Sequence, residues 1–344
     1  MVIPAHDEQA QIGETIHSLL AQTQQPDRIV VIADNCADDT AAIAEGLGVE
    51  VLRTTANSHK KAGALNQALS VLLPDLDDDS RLLVMDADSS LDPRFIESAD
   101  ERLARGDISA CGGVFTGKPG GGLAGMFQRN EYARYARDVG RRKGRVLVLT
   151  GTATMFLVSA LRDVARARTD GRLPGAAGAV YDTRVLTEDN ELTLAMLHLG
   201  HRIVSPRHCR LTTEVMPTWR DLWQQRLRWK RGAIENLVDY GWTPVTRSYW
   251  GRQVLSLLGV VVTAAYLATL VVGLLVDGAV HLHLLWVVVT GIFVVERVVT
   301  VRSRGPAQML LASTIVVEMI FDVFLQACQA KAYIDAALRH ERKW

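Results

Sequence analysis

The chain reads as an α/β protein with a mostly parallel sheet flanked by helices, followed by an apolar helical region. Three observations predict this. Short β-branched runs alternate with helix-period segments through the first half. The strand-length run Arg81-Leu82-Leu83-Val84-Met85 stops at two carboxylates one residue apart, Asp86 and Asp88. Charge is concentrated in residues 1–250, whereas 253–330 are mostly apolar. The 344 residues balance 38 basic against 38 acidic side chains, so no bulk pull towards nucleic acid exists.

Val2-Ile3-Pro4 reads as the second half of a strand whose first half is missing, with no signal peptide ahead of it. Ile12, Ile16, Leu19 and Leu20 line one helix face. A strand over 28–33 ends at Asp34-Asn35. Then come a helix at about 39–47, a strand at 49–53, a helix at 61–73 and the strand at 81–86. Such alternation makes βαβ units with right-handed crossovers, so Asp34 and Asp86, both at strand ends, point into one cleft. The turn after the first strand is Pro4-Ala5-His6-Asp7-Glu8 and not G-x-G-x-x-G, which excludes a dinucleotide dehydrogenase. A D-x-D pair on a cleft lip attracts a hard divalent cation, Mg²⁺ or Mn²⁺, that takes its other ligands from water and a diphosphate. Alone, the pair reads more readily as a turn before a helix starting at 92.

Residues 74–79 read as a solvated loop and 117–125 as a mobile glycine-rich connection. The basic stretch 127–145 is either a solvated helix face or a surface lying against anionic lipid or a diphosphate. A strand is expected at 146–149 and a small-residue loop at 150–154. Thr187-Glu188-Asp189 opens a helix that Thr187 or Asp189 can cap, and there Asp189 is expected to have a depressed pKa. Gln225, Arg228 and Trp229 stand at i, i+3 and i+4. They combine a guanidinium for phosphate oxygens with an indole for stacking on a ring. Trp219 and Trp223 read as amphipathic packing at a membrane interface. Cys36, Cys111, Cys209 and Cys328 lack paired spacing, which suits free thiols in a reducing compartment.

In order and spacing these motifs resemble the family 2 glycosyltransferases with a GT-A fold, in particular the membrane-bound cellulose, chitin, hyaluronan and poly-N-acetylglucosamine synthases. The resemblance covers roughly residues 1–250. It rests on Pro4 to Glu8, Asp34, Lys61-Ala62-Gly63-Ala64-Leu65-Asn66, Asp86-Ala87-Asp88, Thr187-Glu188-Asp189 and Gln225 to Trp229. It implies a donor site built from Pro4, His6, Glu8, Asp34, Lys61, Asp86 and Thr187, with a Mg²⁺ or Mn²⁺ on Asp88 and Asp86. It implies Asp189 as the general base beside Glu188, Arg228 against the departing diphosphate, and Gln225 and Trp229 at the acceptor. The implied reaction is inverting transfer from a nucleotide diphosphate-sugar, with UDP-sugar expected, to a growing polysaccharide. The alternatives are a transferase adding one sugar to a lipid or glycolipid, and a membrane-anchored nucleotide-sugar binder without catalysis. No F-x-V-T-x-K segment and no cyclic-dinucleotide-binding domain is read, which argues against secretion through a channel of its own. A homo-oligomer or a separate export partner is the corresponding expectation.

Candidate spans lie at 253–276, 282–301 and 307–330. The third carries Glu318 and Asp322, so it is either a span or a buried or interfacial helix. Arg247, Arg252, Arg302 and Arg304 place both flanks in the cytosol, with the loop 277–283 outside. A third span would put Arg339, Arg342 and Lys343 outside, against the rule. The expected organisation is a cytosolic glycosyltransferase domain over 1–250, with amphipathic interface helices at 215–250. A region of two or three transmembrane helices with a short tail follows over 251–344, among membrane lipids of the cytoplasmic (inner) membrane.

Overall fold

The computed structural model describes residues 1–276 and 284–338. In chain order the elements are β1 (Val2–Ala5), α1 (Ile12–Leu20), β2 (Val30–Ala33), α2 (Thr40–Gly46), β3 (Glu50–Arg53), α3 (Lys60–Leu72), β4 (Arg81–Met85) and β5 (Ser90–Leu91). Then follow α4 (Phe95–Leu103), β6 (Ala110–Gly112), β7 (Val114–Gly117), α5 (Gly122–Arg141), β8 (Ala153–Leu157), α6 (Val158–Thr169) and α7 (Glu188–His198). The last are β9 (Ile203–Val204), β10 (Arg210–Thr213), α8 (Trp219–Tyr240), α9 (Arg247–Val276), α10 (Leu284–Val301), α11 (Pro306–Ser313) and α12 (Ile315–Ala337). They form two compact units, one of residues 1–118 and 138–214, the other of 119–137 and 215–344.

The first unit holds a seven-stranded sheet in the order β3-β2-β1-β4-β8-β6-β9, beside a small sheet β5-β10-β7. β1, β2, β3 and β4 run parallel, so the chain leaves each of them at the same edge. β8 is inserted antiparallel between β4 and β6. The helical period of α1 is observed: Ile12, Ile16 and Leu19 are fully buried against the sheet, while Leu20 turns outward. Burying three such side chains contributes on the order of 5–9 kcal/mol.

The expected strand at 146–149 is irregular, and the strand lies instead over Ala153–Leu157, which pairs on both sides and takes in the last two residues of the expected loop 150–154. Hydrophobicity at 146–149 signalled burial, as at Leu149, but not pairing. The glycine-rich 117–125 stretch is not all connection, since α5 begins at Gly122. A Cβ on Gly125 would stand 2.2 Å from the Gly120 carbonyl oxygen, so the turn entering the helix requires glycine there.

The second unit is helical. Phe127 stacks on Phe321 at 4.5 Å between centroids, and Trp219 and Trp223 meet Phe324 edge-on at 5.4 and 5.6 Å. The two tryptophans expected at an interface therefore pack on rings of α12. Glu318 is fully buried and accepts from Arg297 at 2.6 Å, Arg134 at 3.3 Å and Asn130 at 3.4 Å. Arg137 pairs with Glu296. The basic stretch expected to be solvated or to face an anionic ligand thus pairs, at Arg134 and Arg137, with carboxylates of the apolar region.

Among the described residues one helix, α9, is long and apolar enough to cross a membrane, and its most apolar stretch is wholly unburied. The third candidate span is broken: α11 and α12 meet at 79°. The loop 277–283 and the tail with Arg339, Arg342 and Lys343 lie outside the described residues.

Candidate active site

The site is assembled in the first unit where the chain leaves β1, β2 and β4. After β1 the backbone turns at Asp7, whose φ of +54° an aspartate tolerates better than most side chains. Asp7 Oδ1 accepts from the Ala37 amide at 2.7 Å, and Thr40 Oγ1 accepts from the Glu8 amide at 2.7 Å, which ties this loop to the one after β2. Pro4 is buried within β1, and His6 Nδ1 lies 2.6 Å from the Asp34 carbonyl oxygen. That carbonyl holds the exposed His6 above its ordinary pKa.

Asp34 is nearly buried. Its Oδ1 accepts from Thr54 Oγ1 and Asn57 Nδ2, each at 2.8 Å, and from Asn35 Nδ2 at 3.1 Å. Gly63 is part of this arrangement, because a Cβ there would stand 2.1 Å from Asn57 Oδ1. Neither Thr54 nor Asn57 had been singled out from the sequence. The second is visible only once α3 is seen to fold back over it.

Lys61 links the acidic groups. Its Nζ donates to Asp86 Oδ1 at 2.5 Å and meets Glu188 Oε1 at 3.2 Å, with the Gly151 carbonyl oxygen at 3.4 Å. Burial works against the ammonium, but Asp86 and Glu188 outweigh it and hold its pKa above the usual lysine range. Burial lifts Asp86 to about 6 in spite of Lys61. Asp88 Oδ1 accepts from Ser89 Oγ at 3.0 Å and Thr213 Oγ1 at 3.4 Å. Glu8 is pushed up to about 7 by its own burial and then by Asp88, Glu214 and Asp86. Glu8, Asp86, Asp88, Glu188 and Glu214 thus form a run of neighbouring carboxylates, two of which, Asp86 and Glu188, engage Lys61.

Asp189 stands in the first turn of α7, half-buried. Its Oδ1 accepts from the Asn190 amide at 2.7 Å and its Oδ2 from the Gly151 amide at 3.1 Å. Thr187 occupies the N-cap position without a side-chain cap bond. The depressed pKa expected for Asp189 is not what the structure gives. Burial, and then the neighbouring Glu188, raise it to about 6, outweighing Lys61 and the Asn190 amide. The helix start was legible in the sequence, but the desolvation was not.

Asn66, present in the motif without an assigned role, clamps a loop. Its Oδ1 accepts from the Val180 and Tyr181 amides at 3.2 and 2.9 Å, and its Nδ2 donates to the Tyr181 carbonyl at 2.8 Å. The clamped Tyr181 lines one cavity with Lys61, Thr150, Gly151, Glu188 and Asp189. Its phenol, raised by burial, remains protonated. Gln225, Arg228 and Trp229 belong to α8 in the second unit and are half-buried there.

The model of the family described as "Glycosyl transferase family 2" matches residues 1–165. Residues 1–165 thus match a family 2 glycosyltransferase domain. The resemblance read from the sequence, and with it the glycosyltransferase class, is borne out at this level. The poly-beta-1,6-N-acetyl-D-glucosamine synthase of Staphylococcus aureus (strain COL) is 26% identical over 288 residues, covering 77% of this chain and 63% of the synthase. The synthase of the same name from Staphylococcus epidermidis is 24% identical over 297 residues, covering 79% and 64%. The chain therefore spans less than two thirds of the length of these relatives. The fold is similar to that of the mannosyltransferase PcManGT from Pyrobaculum calidifontis, solved with GDP-Man and Mn²⁺. The TM-score is 0.63 at 15% identity, covering 99% of this chain and 87% of that one. The expected GT-A arrangement of a mostly parallel sheet flanked by helices is thereby observed.

Among the described residues the one group of three ligating side chains whose atoms lie within 4.8 Å of one another is Asp7, Cys36 and Asp38, not the aspartate pair. A cation bound largely by a donor diphosphate needs only one or two protein carboxylates, so the pair fits such an ion without forming a closed cage.

Proposed function

We propose that the domain catalyses inverting, metal-dependent transfer of a sugar from a nucleotide diphosphate-sugar, with UDP-sugar the expected donor, to a growing polysaccharide. One observation carries this reading: Lys61 meets both Asp86, at the end of β4, and Glu188, at the start of α7, and lines a cavity with Glu188 and Asp189. A donor-side carboxylate and an acceptor-side carboxylate thus share one ammonium.

Asp88, with Asp86, would hold a Mg²⁺ or Mn²⁺, which when bound offsets the negative charge of a diphosphate leaving group. Asp34 and the Thr54–Asn57 loop supply polar partners for the nucleoside, and Pro4, His6, Glu8 and Thr187 complete the donor side. Asp189 takes the proton from the acceptor hydroxyl as its oxygen bonds to the anomeric carbon, and the bond to the diphosphate breaks on the opposite face. A base with a pKa near 6 is well matched to neutral pH. Glu188 keeps Lys61 in place. Gln225, Arg228 and Trp229 keep the roles their motif implies, with Arg228 on the departing diphosphate and the other two at the acceptor.

The names of the two staphylococcal relatives support a polymer as product. The length and exposure of α9 support a membrane location, multi-pass and with the domain facing the cytosol as the proposed arrangement. The test incubates purified protein and Mn²⁺ with radiolabelled UDP-N-acetylglucosamine and UDP-glucose and sizes the product. A long polymer is expected. A single added sugar would favour the lipid transferase, and no transfer from either donor would refute the reading.

A further inference from the structure

The most deeply buried cation of α8 is not the arginine that the motif names. Arg228 is half-buried, whereas Arg226, two residues earlier, leaves only 3% of its side chain exposed. Its guanidinium is engaged on three sides. Nη1 donates to Gln225 Oε1 at 2.6 Å, and Nη2 donates to Glu131 Oε2 of α5 at 2.7 Å. The group lies over the Trp229 indole, 4.5 Å from its centroid. The Tyr132 ring is 5.9 Å away. Burial works against this charge, but Glu131 outweighs it, so the side chain stays protonated.

A guanidinium taken out of water is tolerated only where its fork is used, and here the fork ends on two residues of the 225–229 segment and on an anchor from another helix. Without it, the long Gln225 side chain and the Trp229 ring would each sample several rotamers on a helix surface. We propose that Arg226 is the positioning residue of this segment. Anchored by Glu131, it takes the carboxamide oxygen of Gln225, which leaves the NH₂ as the end that can donate to a ligand. It also covers one face of the Trp229 indole, so that a single face remains to stack on an acceptor sugar ring. The inference rests on the acceptor role proposed above and assigns that role a cause.

The test uses the full chain with Arg226→Met, Arg226→Lys and Glu131→Gln, UDP-N-acetylglucosamine as donor and a β-1,6-linked N-acetylglucosamine pentasaccharide as acceptor. In Arg226→Met the acceptor KM rises roughly tenfold, the scale of one desolvated cation–π contact, while the donor KM stays within about twofold. Glu131→Gln shows a smaller change of the same kind. Arg226→Lys recovers most of the loss, because an ammonium still meets Glu131 and the indole. Trp229 emission, taken as parent minus Trp229→Phe, shifts in Arg226→Met and returns in Arg226→Lys. Unchanged acceptor KM and unchanged emission in a folded Arg226→Met protein would overturn the proposal. So would a donor KM rising in step with the acceptor KM, which marks loss of fold. If the parent transfers nothing to this acceptor, the reading of function has failed, and the emission measurement alone decides the role of Arg226.

Discussion

The two units bury charge in opposite ways. In the second, buried ions among the described residues are matched: Glu318 by Arg297 and Arg134, Arg226 by Glu131, and Arg231 by Glu235. In the first, Lys61 faces both Asp86 and Glu188, while Glu8 and Asp189 are each raised by burial and then by carboxylate neighbours. A matched pair is satisfied within the protein, and removing one member costs stability. An unmatched cluster remains short of positive charge until a cation binds, which is how a site differs from a scaffold. The first unit also contains a matched pair, Arg168 and Glu191 at 2.7 Å, both fully buried. The contrast is therefore one of local purpose, not of composition.

The largest effect belongs to the unmatched cluster. Asp189→Asn keeps shape and both backbone hydrogen-bond acceptors only in part, but removes the base. Transfer should fall by roughly 10²–10⁴-fold while nucleotide binding, read by calorimetry, is nearly unchanged. Substantial residual transfer would return the start of α7 to a purely structural role. The matched cluster should behave in the reverse manner. Glu318→Ala removes the buried carboxylate shared by Arg297 and Arg134, leaving Arg297 its contact with Asp322, and is expected to cost about 3–5 kcal/mol in a detergent melt, with nucleotide binding by the surviving folded protein retained. Lost binding at retained stability would erase the distinction between the units. Next in size is Asp88→Ala, for which Mn²⁺-dependent donor binding should weaken by at least roughly 10–100-fold, the scale at which even the outer-shell partners of metal ligands act. Binding that still responds to Mn²⁺ titration as in the parent would move the cation elsewhere, with the Asp7, Cys36 and Asp38 group the next place to look.

What was legible in the sequence follows the same division. Periodic features came through: the buried stripe Ile12, Ile16, Leu19, the strands ending at Asp34 and Asp86, and the helix opening at Glu188. These depend on neighbours a few residues away. The contact of Lys61 with Glu188 depends on two crossovers that bring distant helix starts to one sheet edge, and no local pattern encodes it. The contacts of Trp219, Arg134 and Arg137 with the apolar region were not legible for a related reason. An exposed-looking aromatic or basic face and one covered by a distant helix have the same period. Strand β8 was misplaced because its first residues, Ala153 and Thr154, continue a small-residue run and are strand-like only through pairing on both sides, with β4 and β6.

The smallest effect tests the point on which sequence and structure disagree most directly. A helix start stabilises a carboxylate, and the Asn190 amide bonded to Asp189 acts in that direction. Desolvation and Glu188 act against it and prevail, leaving the pKa near 6 and not below the usual aspartate value. A base must be unprotonated to work, so turnover should be full above about pH 7 and fall as the pH drops through 6, roughly tenfold per unit below it. With the depressed value expected from the helix start alone, turnover at pH 5 would still be close to its plateau. The acid limb of kcat against pH, measured at saturating donor and Mn²⁺, separates the two. Substituting Glu188 by Gln adds a direction, because removing that neighbouring charge should move the limb to lower pH. A limb that stays in place would mean that burial alone sets it, and that the excess of carboxylates is not what distinguishes this cleft from the paired charges of the second unit.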